Sequence, residues 1–99
     1  MAPQTQKALV AASQGAPWEL RTDWPVPKPG PTEVLVKLAA TALNPADWKI
    51  QAFGAPFVSW PFLGGLDGAG IVEEVGAEVT NVAKGDRMCV SRLCFLWLY

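Results

Sequence analysis

The chain has 99 residues and a mass of 10.6 kDa, room for one domain that buries about 64% of its extended surface on folding. Hydrophobic residues at 51% and charged residues at 17% exclude the disordered, highly charged class. Eight basic side chains stand against nine acidic ones with no basic run, so neither nucleic acid nor a membrane surface finds an electrostatic partner.

In chain order, Met1 to Lys7 shows no charged leader followed by an apolar stretch, so no secretory signal is read and the cytoplasm is the expected compartment. Lys7 to Ala12 predicts a short strand. Trp18, Leu20, Thr22 and Trp24, alternating with Glu19, Arg21 and Asp23, predict a second, half-buried one. Four prolines and a glycine between Pro25 and Pro31 preclude a regular ladder and predict an extended surface connection. Glu33 to Leu43 is the longest β-type run, with Val34, Val36 and Leu38 on one face and Leu35, Lys37 and Ala39 on the other, and is placed in the middle of the sheet.

Asn44 and Pro45 break that run and open a helix of two turns over Ala46 to Ala52. Phe53 to Gly70 predicts an irregular loop on the barrel mouth, anchored by Phe57, Trp60 and Phe62. A strand follows over Ala69 to Val75, a turn or bulge at Gly76, and a short strand or bend over Val79 to Val82. Lys84-Gly85-Asp86 turns into a last strand, Arg87 to Ser91. Five or six short strands with one short helix make a mostly β fold, a small and partly open barrel.

Histidine is absent, which removes Ser/His/Asp and Cys/His nucleophile arrangements and every imidazole zinc site. Cys89 and Cys94 are too few for a disulfide framework or a four-ligand metal site and read as plain buried thiols. Met88 and Trp18 read as core. Gly64-Gly65-Leu66-Asp67-Gly68-Ala69-Gly70 is glycine-rich, but Glu73 stands where the third glycine of a dinucleotide fingerprint belongs and Ile71 to Val75 is strand-prone. These glycines read as backbone turning into a strand rather than as a phosphate cradle.

Four stretches in order, Pro-x-Pro-Gly-Pro-x-Glu-Val-Leu-Val-Lys (27 to 37), Ala-Leu-Asn-Pro-Ala-Asp-Trp-Lys (42 to 49), Gly-x-Asp-Gly-Ala-Gly-Ile-Val-Glu-Glu-Val-Gly (65 to 76) and Val-x-Lys-Gly-Asp-Arg (82 to 87), resemble the N-terminal chaperonin-10-like (GroES-like) domain of medium-chain dehydrogenases/reductases. The likeness runs from about Lys7 to Val90. Asn-Pro-x-Asp-Trp-Lys is most similar to the zinc-free fungal branch of quinone-oxidoreductase-like proteins and trans-acting enoyl reductases. Where zinc alcohol dehydrogenases carry a ligand Cys this chain has Asn44, and in place of their Gly-His-Glu pair it has Leu66 and Asp67. An amide and an isobutyl group are not usual zinc ligands.

The resemblance implies NADPH as cofactor and no zinc. Its cofactor-binding residues would be those of the turn after the third strand, Asn44, Pro45, Ala46, Asp47, Trp48 and Lys49, at the nicotinamide end. Asn44 and Asp47 read equally well as groups that hold the helix N-terminus. Lys49 is the one candidate for a catalytic, substrate-side donor, or else a solvated helix charge, and Asp67 reads as a turn cap. Relatives of this kind continue into a Rossmann domain of two hundred or more residues. Residues 1–92 are therefore expected to form the GroES-like domain and 93–99 an atypical apolar tail of a truncated product.

Two functions stay open. One is a fragment of an NADPH-dependent, zinc-free reductase acting on the activated double bond of an enoyl or quinone substrate, small or carrier-bound, and inactive alone. The other is a non-catalytic GroES-like binding module. An oligonucleotide-binding barrel has the aromatics but lacks the charge.

Overall fold

The computed structural model describes residues 3–91, together with the backbone of Trp97 and Leu98. Among the described residues, seven strands and one helix succeed one another as β1 (Thr5–Ala11), β2 (Trp18–Pro25), β3 (Val34–Ala40), α1 (Pro45–Phe53), β4 (Phe62–Leu63), β5 (Asp67–Val75), β6 (Arg87–Ser91) and β7 (Trp97–Leu98). They form two sheets that do not close on each other, one ordered β2-β1-β4 and the other β6-β5-β3-β7. All pairings are antiparallel except that of β3 with β7. The fold is thus the mostly β, partly open barrel expected, with two of its strands only two residues long.

β3 is the spine of the larger sheet. Flanked by β5 and β7, it buries Val34, Leu35 and Val36 in succession, so both of its faces are covered at its start and the alternation read from the sequence appears only from Val36 to Ala39. The strand ends at Ala40, three residues before Leu43. Val72 on β5, Val90 on β6, Ala8, Val10 and Ala11 on β1, Phe62 on β4 and Ile50 on α1 complete the core. Two glycines let backbones meet: a Cβ on Gly70 would lie 2.0 Å from the Lys37 carbonyl oxygen, and one on Gly76 would lie 2.1 Å from that of Gly30. Any side chain at either place would force strands or turns apart.

Several local expectations are corrected. β2 is an edge strand on which Leu20 is 64% exposed, and an extra residue between Arg21 and Trp24 breaks its register with β1, so its alternation does not make one buried face. β5 begins at Asp67, two residues before Ala69, because its first residues already pair with Ser91 and Val90. Of the strand or bend expected over Val79 to Val82, the structure has the bend, at Asn81. Phe62 is buried and Trp60 stacks edge-on against it at 5.9 Å, but Phe57 is exposed. Cys89 is exposed rather than buried, since β6 is an edge strand whose inward residue there is Val90; Cys94 lies outside the described residues.

Of the stretch 93–99, residues 93–96 and 99 lie outside the described residues, while the backbone of Trp97 and Leu98 pairs with Leu35 and Val36. No helix among the described residues is long and apolar enough to cross a membrane.

The ranking of positions is testable. Leu35→Ala removes a side chain 1% exposed and should cost about 2–5 kcal/mol, whereas Leu20→Ala should change stability by no more than about 0.5 kcal/mol. Urea unfolding of the two variants measures both.

Candidate functional site

Strands β1 and β2, together with the loops around the start of α1 and of β5, line a cleft of about 900 Å³. One wall is built by Lys7 and Leu9 of β1 with Trp18 and Trp24 of β2; the other comes from Leu38 of β3, the 41–44 loop, the first turn of α1 and the start of β5. The lining is mainly apolar, with Asn44, Asp47 and Asp67 joined in one part of it and Gln6 and Lys7 on β1, the usual character of a small-molecule site.

The polar side around Asn44 is built on the N-terminus of α1. Asn44 is its N-cap, in extended conformation at φ −116° and ψ 150°, and Pro45 follows at the first helical position, where a missing N–H costs nothing and φ is preset. Asp47, at the third helical position, accepts the Asn44 backbone N–H at 2.8 Å through Oδ2 and the Gly65 N–H at 3.2 Å through Oδ1. Asp67, at the start of β5, accepts the Ala42 N–H at 2.9 Å and the Asn44 Nδ2 amide at 3.1 Å. Gly65 holds φ at +105°, a left-handed conformation that glycine adopts freely. The other end of α1 is tied down too. Gly15 N–H donates to the Gln51 carbonyl at 2.7 Å, Gln51 Nε2 donates to the Ala16 carbonyl, and Gly54 caps the helix through Ile50.

The site residues read from the sequence divide in two. Asn44, Asp47 and Trp48 line the cleft; Pro45, Ala46 and Lys49 are not among its lining residues. Lys49 is exposed, with Nζ 5.8 Å from the centre of the Trp48 ring. Asp67 lines the cleft as well, as a carboxylate that holds a turn. Trp18, expected in the core, is instead half-buried on the cleft wall, and its ring presses on Gly64 so closely that a Cβ there would lie 2.9 Å away. Trp18, Trp24, Pro25 and Pro27 of the β2 side, with Lys7 and Leu9 of β1, are among the lining residues outside the turn read from the sequence. The alternating tryptophans of β2 were the available signal.

The glycine-rich stretch resolves as expected, because Asp67 to Val75 is a strand and not a helix. The N-terminus of α1 is no open anion site either, since the Asp47 carboxylate already sits on it. Of the positions where the zinc-bearing branch carries ligands, Asn44 offers an amide, Leu66 a hydrocarbon, and Asp67 has both oxygens engaged by N–H donors. No group of three His, Cys, Asp or Glu side chains able to hold a metal forms among the described residues, and this donor set does not suit zinc.

The Ala42 N–H first, and the Asn44 amide second, hold the Asp67 carboxyl below its ordinary value of 3.8, since both donors favour the ionised form. A depressed folded-state pKa contributes stability that is present above the unfolded value and lost as pH falls through the folded one. Asp67→Asn should therefore remove part of the acid-induced loss of stability below pH 3.8 and leave the shape of the curve above pH 5 unchanged. Melting temperature against pH for both proteins reads this directly; identical acid limbs would contradict it.

Comparison with known proteins follows the same lines. The family model of the alcohol dehydrogenase GroES-like domain matches residues 30–97. The trans-enoyl reductase buaC of Petromyces alliaceus is 40% identical over 92 residues, 92% of this chain and 25% of that protein. A chloroplast envelope quinone oxidoreductase homologue of Arabidopsis thaliana is 48% identical over 67 residues, 65% of this chain and 20% of that one. Among solved structures, an alcohol dehydrogenase superfamily protein from Novosphingobium aromaticivorans superposes with a TM-score of 0.78 at 37% identity, covering 88% of this chain and 27% of that one. A cobalt- and zinc-bound thermostable alcohol dehydrogenase from Pyrobaculum aerophilum does so at 0.78 and 32% identity, over 87% and 26%. The chain spans a fifth to a quarter of the length of these relatives. Fold, matched residues and the order of its motifs together make it a member of the alcohol dehydrogenase GroES-like domain family, within the medium-chain dehydrogenases/reductases.

Proposed function

We propose that this chain is the substrate-side domain of a cytoplasmic, zinc-free, NADPH-dependent reductase that reduces the activated double bond of an enoyl or quinone substrate, small or carrier-bound. The observation that carries the reading is the joining of Asn44, Asp47 and Trp48 on one side of an apolar cleft, in a chain similar to an enoyl reductase and a quinone oxidoreductase. The donor set of Asn44, Leu66 and Asp67 supports a reaction without zinc.

The cleft suits the neutral nicotinamide end of the cofactor and not the dinucleotide as a whole. Asn44 supplies a primary amide at the polar side, while Trp18, Trp48 and Leu38 supply apolar surface against which the ring can lie. When bound, NADPH supplies the hydride. The residues of this chain orient the reacting partners, with Asn44 fixed in the cleft and Lys49 outside its lining. Pyrophosphate needs a glycine-rich turn opening a free helix N-terminus. The one helix N-terminus among the described residues is occupied by Asp47.

The 99-residue chain on its own should therefore transfer no hydride and bind NADPH weakly. Titration followed by nucleotide fluorescence should give no saturation in the micromolar range, and a micromolar dissociation constant would refute the claim.

Two roles for Asn44 separate in one variant of a full-length relative with the same turn. Replacing an N-cap Asn by Ala costs about 0.5–2 kcal/mol of stability, whereas loss of a positioned group at the reacting centre costs on the order of 10²-fold in rate. Asn44→Ala should lower turnover by roughly that factor with only a modest fall in melting temperature. A lowered melting temperature with unchanged turnover would assign Asn44 to the helix cap alone.

A further inference from the structure

Two carboxylates at the cleft cross each other's elements. Asp47 belongs to α1 but reaches Gly65, in the loop that leads into β5. Asp67 belongs to β5 but reaches Ala42 and Asn44, in the loop that leads into α1. Asn44 is the shared point: Asp47 takes its backbone N–H at 2.8 Å and Asp67 its side-chain amide at 3.1 Å. All four carboxylate oxygens thus carry a donor, and bonds to an ionised acceptor are stronger than those between neutral groups. An ionised carboxylate only accepts, so the Asn44 nitrogen must face Asp67, and the amide oxygen is the side of the group turned to the Asp47 backbone N–H in the capping box.

We propose that Asp47 and Asp67 are positioning residues that act as a single two-way clasp, locking the 41–44 and 64–66 loops together and fixing the orientation of the Asn44 amide at the cleft. The clasp deepens the reductase reading by naming what orients Asn44, and it rests on that reading only for its consequence in turnover. The two links do different work: Asp67 orients the Asn44 side chain, and Asp47 ties the Gly65 backbone to the helix, beside the bond by which the Gly64 N–H holds to the Leu9 carbonyl at 3.1 Å.

The clasp has a signature that a pair of independent turn caps lacks. In the wild-type chain, hydrogen exchange at Ala42 and Gly65 should report one common opening, with protection factors within about threefold of each other. Asp67→Ala should speed exchange tenfold or more at both amides, although Gly65 is bonded to Asp47, and should shift the Asn44 side-chain amide resonances toward those of a solvated Asn. Acceleration at Ala42 alone, with the Asn44 resonances unmoved, would overturn the proposal.

A swap keeps the test open should single variants unfold. In the double variant Asn44→Asp with Asp67→Asn the side-chain pair re-forms with its donor reversed, while the amide oxygen introduced at position 67 still accepts the Ala42 N–H. The double variant should melt above both single variants; a double variant no more stable than the weaker single one would also overturn the clasp. In a full-length relative, restored stability with turnover still depressed supports the clasp and the reductase reading together. Restored stability with restored turnover supports the clasp and refutes the contact between the Asn44 amide and the reacting groups.

Discussion

The antiparallel ladder between β3 and β5 is the constraint on which the site depends. Leu38 pairs with Gly70 and Ala40 with Ala69, so the chain leaving β3 and the chain entering β5 emerge at the same end of the sheet. Only because of that register do Ala42 and Asn44 come within hydrogen-bond reach of Asp67. The approach is close, with Gly70 against the Lys37 carbonyl, and even a methyl group there would push the two loops apart. β3 can bear this role because its first three residues are buried on both faces of the sheet, which makes it the least yielding element in the larger sheet.

From that register the chemistry follows by proximity. A sequence with Asn-Pro after a strand starts a helix whose N-terminus must find acceptors for its free N–H groups. Here Asp47 meets that need and, having a second oxygen, also reaches the facing loop. The polar side of the cleft is thus a by-product of helix capping that has been extended across two loops. The same groups bear on zinc: both carboxylate oxygens of Asp67 are engaged by N–H groups, and no imidazole exists in the chain.

Much of this was legible in the sequence, for local reasons. The Asn44-Pro45 break, the strand Arg87–Ser91 and the strand-forming nature of the glycine run all come from residue types acting on their own backbone. The less legible parts depend on distant partners. β5 starts at Asp67 because Ser91 is there to pair with it, and Cys89 is exposed because its neighbour Val90 is the residue of β6 that points inward. Trp18 lines the cleft because the 64–65 loop passes beneath its ring. For the site itself, the sequence pointed to the whole turn 44–49, and folding divides it: a helix presents only some of six consecutive residues to one side, so Asn44, Asp47 and Trp48 reach the cleft while Lys49 lies outside its lining.

The central claim, that the polar side of this cleft receives the reacting end of NADPH without a metal, is tested most directly by a crystal structure of a full-length relative carrying the Asn44 to Lys49 turn with bound NADP. The account predicts the nicotinamide ring against the turn, with a polar atom within about 3.2 Å of the Asn44 amide and no metal between Asn44 and Asp67. A nicotinamide ring seated away from the turn, or a metal ion bridging those two side chains, would contradict it.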